Sequence, residues 1–206
     1  MPITSLSSLL LLAPVFALAI SFHEYAHAWM ADRLGDPGPR LAGRLTLNPR
    51  AHLDFLGTVM LLLLGIGFAR PVMVNASRFR DPVRDMMRVA LAGPVANLLL
   101  AAAAAMLIRL GEGLYPRFAF DVPLVYRFLY VAVRLNVALA LFNLLPIPPL
   151  DGSRILRAFV SWQTRDLLNR LEPYGFFLLL LVGYMGWLGA LVFRPTAILT
   201  RLLVGA

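Results

Sequence analysis

Residues 9–35 read LLLLAPVFALAISFHEYAHAWMADRLG, and the reading of this stretch decides the fold. Its first fourteen residues are almost wholly apolar, and then His23, Glu24 and His27 arrive inside the same run. Ionisable side chains are costly at membrane depth and mark function where they occur. With its upstream neighbours the stretch gives an apolar segment over about 5–34, long enough to cross a hydrocarbon core of roughly 30 Å. A secretory signal would look similar, and Ala17-Leu18-Ala19 resembles a cleavage site. However, Met1 to Leu12 carries no Lys or Arg, and cleavage would leave His23 near a new terminus, so the segment reads as a retained transmembrane helix.

The remainder of the chain agrees. Of 206 residues, 60% are hydrophobic, and the mean hydropathy of +0.76 is far above that of a soluble domain. Four further apolar segments cover about 53–68, 86–110, 122–150 and 174–193. The segment at 53–68 is too short for a spanning helix and contains Gly57, Gly65 and Gly67, so it reads as re-entrant. It runs into FARPVMVN (68–75), where Pro71 followed by Val72, Met73 and Val74 suggests an extended strand. The expectation is one transmembrane domain over 1–206: an all-α polytopic membrane protein, a helical bundle with a short re-entrant β element. LLLAAAAAML (98–107) reads as a small-residue face for close helix packing.

Charge sets the orientation. The net charge of +8 comes from arginine alone, because none of the nineteen basic residues is lysine. If 53–68 re-enters, the connections 33–50, 70–88 and 154–170 share one side and hold thirteen of the nineteen arginines. By the positive-inside rule that side is the cytoplasm. These arginines suit anionic lipid headgroups of the bilayer; with no basic face interleaved with aromatics, nucleic acid is not an expected partner. The absence of cysteine excludes disulfides and thiolate chemistry.

His23 and His27 are four positions apart in a helix and project from one face, spaced for two imidazole nitrogens to hold one zinc. Glu24 lies beside them, within reach of a proton on a metal-activated water without being a ligand. The bland reading is a chance pattern of satisfied core histidines. A catalytic zinc takes a third protein ligand, and most other acids fall in polar connections. Asp151 differs: it closes the fourth segment in LFNLLPIPPLDGSRIL (141–156), where prolines break the helix near membrane depth. In the proposed topology His23, His27 and Asp151 reach the same leaflet, while the alternative for Asp151 is a cap on a short helix over 152–160. His52 reads as an interfacial residue. Asn143 suits either a substrate backbone or a helix-to-helix hydrogen bond, and Asn97 reads mainly as packing.

Taken together HEYAH, LNPRAHLDFLGT (47–58), FARPVMVN, AGPVAN (92–97) and NLLPIPPLDG (143–152) resemble the site-2 protease family of intramembrane zinc metalloproteases, in the family's order. The resemblance covers roughly residues 18–160. It implies one Zn2+ per chain held by His23, His27 and Asp151, Glu24 as general base, and Asn143 helping to hold substrate near the metal. It further implies transmembrane protein substrates, often regulatory proteins, cut near the cytosolic face of the cell membrane by a multi-pass enzyme. Where the family usually reads W-A-K-P-V-P-V-N, this chain has Phe68, Arg70 and Met73. Within these 206 residues no PDZ or nucleotide-sensing domain is expected. An edge strand at Val72, Met73 and Val74 would pair with an unwound substrate by β-augmentation; the alternative is a loop that plugs the bundle. Two rival classes are a catalytically silent scaffold that binds helices and a metal-ion transporter. The intact base and ligands argue against the first, and the lack of polar residues in the third and fifth segments against the second.

Overall fold

In the computed structural model the described residues are 6–54, 57, 70–114 and 122–205. The first helix, α1 (Leu6–Leu34), ends where Gly35 takes the left-handed conformation at φ +113°. There the Asp36 N–H turns back onto the Ala31 carbonyl at 2.9 Å, the glycine stop typical of helix C-termini. A single turn, α2 (Gly38–Leu41), follows.

The longest helix, α3 (Pro82–Leu114), has 33 residues and is about 50 Å long. Its start is encoded in DPVRD: Pro82 takes the first helical position, Asp81 accepts from the Arg84 N–H at 3.1 Å, and Asp85 accepts from the Asp81 N–H at 3.1 Å. Helix α4 (Pro123–Asn143) likewise opens on proline and stops before the proline-rich turn 144–150. Beyond that turn lie α5 (Asp151–Leu156), α6 (Trp162–Leu171), α7 (Gly175–Tyr184) and α8 (Arg194–Val204).

Among the described residues three helices are long and apolar enough to cross a membrane, Leu10–Leu34, Pro82–Leu114 and Pro123–Asn143, and a fourth crossing arises if the bent pair Trp162–Tyr184 and Gly189–Val204 is one span. The protein is an all-α, multi-pass membrane protein. The fourth apolar segment, expected over 122–150, is helical only to Asn143, because prolines at 146, 148 and 149 withhold the N–H groups that would continue it. The fifth, expected over 174–193 as one crossing, is bent by 81°, and α8 extends the helical chain beyond it. A left-handed Gly186 (φ +75°) stands at that break. The re-entrant expectation for 53–68 lies outside the described residues apart from positions 53, 54 and 57. Its flanks meet, since the Arg70 N–H donates to the His52 carbonyl at 2.8 Å.

Among the described residues no β-strand forms, and 71–75 run without regular pairing. The side chains nevertheless alternate as in a strand: Val72 is buried, Val74 packs inward, and Met73 is 82% exposed. His52 is fully buried within the protein. Its Nε2 donates to the Thr46 carbonyl at 2.7 Å, which gives that part-buried loop carbonyl a partner.

Helix α3 is the spine and packs against α1, α4, α5 and α8. Ala101, Ala104, Ala105 and Ile108 of α3 meet Val133 and Val137 of α4 and Val204 of α8. Alanine lets these backbones approach closely, as the small-residue tract predicts. Arg109 of α3 caps the end of α8, donating to the Leu203 carbonyl at 2.6 Å and the Leu202 carbonyl at 2.7 Å.

Candidate metal centre

Three elements bring His23, His27 and Asp151 together. The two histidines lie one turn apart on α1, α3 crosses over them, and Asp151 enters as the first residue of α5. The crossing is close because α3 presents Gly93 there: a Cβ on Gly93 would lie 2.4 Å from His27 Nε2 and 2.6 Å from His23 Cε1. The tight turn before Asp151 depends on Gly152 in the same way, since a Cβ would lie 2.2 Å from the Leu144 carbonyl oxygen.

The donor atoms form a small triangle. His27 Nε2 lies 3.0 Å from His23 Nε2, and Asp151 Oδ2 lies 3.3 Å from His23 Nε2 and 3.1 Å from His27 Nε2. All three residues are buried.

Hydrogen bonds behind the rings fix their tautomers. The Asn97 amide nitrogen donates to the Ala19 carbonyl at 3.2 Å and to Asn136 Oδ1 at 2.8 Å. Its oxygen therefore faces His23, and at 2.6 Å it accepts from His23 Nδ1. His27 Nδ1 donates to the Val89 carbonyl at 2.7 Å. A neutral imidazole with its proton on Nδ1 presents a bare lone pair at Nε2. Two such lone pairs and a carboxylate oxygen, Asp151 Oδ2, that has no hydrogen-bond partner thus converge on one point. Three acceptors in that arrangement repel unless a cation stands among them, and two imidazoles with one carboxylate suit zinc.

A proton on His27 serves the same carboxylate. Burial alone would push the Asp151 carboxyl up, but with the rings protonated, so that Nε2–H groups replace the bare lone pairs, the charge of His27 and hydrogen bonds from both rings outweigh it and hold the group below the ordinary carboxylate range. Proton and metal compete for one place.

Glu24 is buried beside the triangle, and its Oε2 accepts the Val72 backbone N–H at 3.0 Å. The segment 71–75 therefore reaches the site, but through an amide already engaged by Glu24. Met73 and Val74 carry the donors that no described contact engages. Asn143 ends α4, and its Nδ2 donates to the Leu139 carbonyl at 3.0 Å within its own helix, rather than across to another.

The model of peptidase family M50 matches residues 11–123 and 119–182. The chain belongs to peptidase family M50. Among relatives of this M50 peptidase, "Putative zinc metalloprotease YwhC" of Bacillus subtilis is 42% identical over 185 residues, covering 88% of this chain and 84% of the relative. "Putative zinc metalloprotease Rip2" of Mycolicibacterium smegmatis is 29% identical over 187 residues, covering 88% and 69%. "Putative zinc metalloprotease MJ0611" of Methanocaldococcus jannaschii is 29% identical over 136 residues, covering 66% and 63%. No solved structure matches the chain.

Sequence reasoning assigned Asn97 to packing and passed over Gly93 and the Val89 carbonyl. A signal for the first two was present: Gly93 and Asn97 are four apart in AGPVAN, so they share a helical face, as His23 and His27 do.

Proposed function

We propose that this M50 peptidase is an intramembrane zinc endopeptidase that cleaves transmembrane segments of other membrane proteins, working in the cell membrane with its site towards the cytoplasm. The observation that carries the reading is the convergence of His23, His27 and the unpartnered Asp151 oxygen, with Glu24 buried beside them on a membrane-crossing helix. The arginine-rich connections 33–50, 70–88 and 154–170 support the cytoplasmic orientation.

His23, His27 and Asp151 would hold one zinc. Bound there, the ion supplies Lewis acidity that polarises a peptide carbonyl and acidifies a water. Glu24 would take a proton from the attacking water and pass it to the leaving amine. Its carboxylate is oriented for both transfers by the Val72 N–H. Asn97 and the Val89 carbonyl keep the two imidazoles in the tautomer that leaves Nε2 free. A transmembrane helix hides its peptide bonds in its own hydrogen bonds, so the substrate unwinds before cleavage. The chain at Met73 and Val74 would pair with the unwound strand, and the Asn143 amide oxygen, which no described contact engages, would steady it.

Glu24→Gln tests this reading, because Glu24 moves protons and coordinates nothing. Membranes carrying the native protein or the variant are compared by proteomics, and zinc is counted in both purified proteins. The expected result is unchanged zinc, with fragments that depend on Glu24 lost by about a hundredfold to ten-thousandfold. Native fragment yields from Glu24→Gln would end the mechanism.

A further inference from the structure

Asp36 sits just past the glycine stop of α1 and is 1% exposed. A buried carboxylate persists only where hydrogen bonds or charge stabilise it. Here Oδ2 accepts the Asn75 backbone N–H at 2.7 Å. Oδ1 accepts the Gly38 N–H at 3.0 Å and the Arg78 guanidinium at 3.2 Å. Two of these three donors belong to the segment whose Val72 N–H rests on Glu24 at 3.0 Å.

The segment is thus tied to α1 at two points, at Glu24 inside the helix and at Asp36 beyond its end. Between the ties Val74 and Ala76 pack with Met30, Ala31 and Leu34 of α1. The fit is close: a Cβ on Gly35 would lie 3.3 Å from the Arg78 carbonyl oxygen. On the outer side a groove of about 330 Å³ opens along Met73 to Ala76, so solvent borders the segment there and its position depends on the ties.

We infer that Asp36 is a positioning residue for the general base: by gripping Asn75 and Arg78 it fixes the segment that presents the Val72 N–H to Glu24. The inference rests on the reading of Glu24 as the base. Without the Asp36 tie the segment moves, Glu24 loses the amide that aims it, and proton transfer slows while the metal ligands stay as they were. Misplacement of a catalytic group by about 1 Å costs up to about a hundredfold in rate.

The test uses Asp36→Asn, which keeps the shape but removes one acceptor. The purified protein is reconstituted in proteoliposomes with a single-span model substrate. Zinc per chain, kcat and KM are measured, together with residue-resolved hydrogen exchange across 70–78. The expected result is native zinc, KM within about twofold, kcat lower by about tenfold to a hundredfold, and faster exchange at both Val72 and Asn75. Asp32→Asn, which breaks the exposed ion pair to Arg40 on the same helix end, should keep native kcat. A native kcat in Asp36→Asn, a loss of rate that only follows lost zinc, or a Val72 amide that stays protected while Asn75 exchanges would each overturn the inference. If Asp36→Asn does not accumulate, Arg78→Ala carries the test: it removes one grip from the exposed side and should lower kcat about threefold to tenfold, while a native rate overturns the proposal. Failure of the protease reading looks different, because Glu24→Gln would then match the native protein.

Discussion

Replacing Gly93 by alanine adds one methyl group to α3, and the structure sets how much room that methyl finds. Its Cβ would lie 2.4 Å from His27 Nε2 and 2.6 Å from both His23 Cε1 and His27 Cε1. Ordinary van der Waals contact begins near 3.4 Å, so the His27 ring must retreat by about 1.0 Å. Metal sites tolerate ligand displacements of about 0.2 Å, which makes the required shift about five times too large. The same retreat stretches the 2.7 Å hydrogen bond from His27 Nδ1 to the Val89 carbonyl, and loss of such a supporting bond costs about tenfold to a hundredfold in metal affinity. Gly93→Ala should therefore bind zinc at least about a hundredfold more weakly, or about 2.8 kcal/mol at about 1.4 kcal/mol per decade. Competition against a chelator of known affinity, with zinc counted by mass spectrometry, measures this directly. Gly113→Ala on the same helix is the control, because nothing lies within 4 Å of its added Cβ. Native zinc affinity in Gly93→Ala would refute the reasoning that α3 is seated on the imidazoles.

Other perturbations reach the same site from different sides. Asp151→Ala should lose most of its zinc in the same competition, since two histidines alone make an incomplete site, whereas Asn97→Ala should weaken zinc about tenfold to a hundredfold by freeing His23 Nδ1. Proline at Met73 or Val74 deletes a donor that no described contact engages, and in at least one of the two variants KM for the single-span substrate should rise at unchanged zinc content; unchanged KM in both would remove the segment from substrate binding.

Much of this was legible in the sequence, because the signals were local or compositional. Apolar length marked α1, α3 and α4, and i,i+4 spacing placed His23 beside His27. Asp151 required a longer inference, from arginine distribution to topology to a shared leaflet, and the structure brings its carboxylate to the two rings. What escaped was non-local. Nothing in residues 92–97 says that their helix lies on HEYAH at a separation where glycine is obligatory, and a polar residue in an apolar helix is equally suited to packing. Asp36 looked like one more acid in a polar connection, and only the return of 72–78 along α1 gives it three partners. The stop of α4 at Asn143 was foreshadowed by its prolines, yet the 81° break before α8 follows from a left-handed glycine in a run that reads as uniformly apolar.

Asn97 engages three helices at once: its own helix α3, the Ala19 carbonyl and His23 of α1, and Asn136 of α4. Sliding any one of these helices by a single residue shifts it about 1.5 Å along its axis and turns it by roughly 100°; a slip of α3 would break all three bonds together, a slip of α1 the two to Ala19 and His23, and a slip of α4 the one to Asn136. In lipid no water stands ready to replace them. Hydrophobic matching alone is nearly indifferent to register, since each of these helices is greasy along much of its length. The amide therefore acts as a lock against mis-seated assemblies during insertion, rejecting near-neighbour alignments that the alanine-rich faces would otherwise accept.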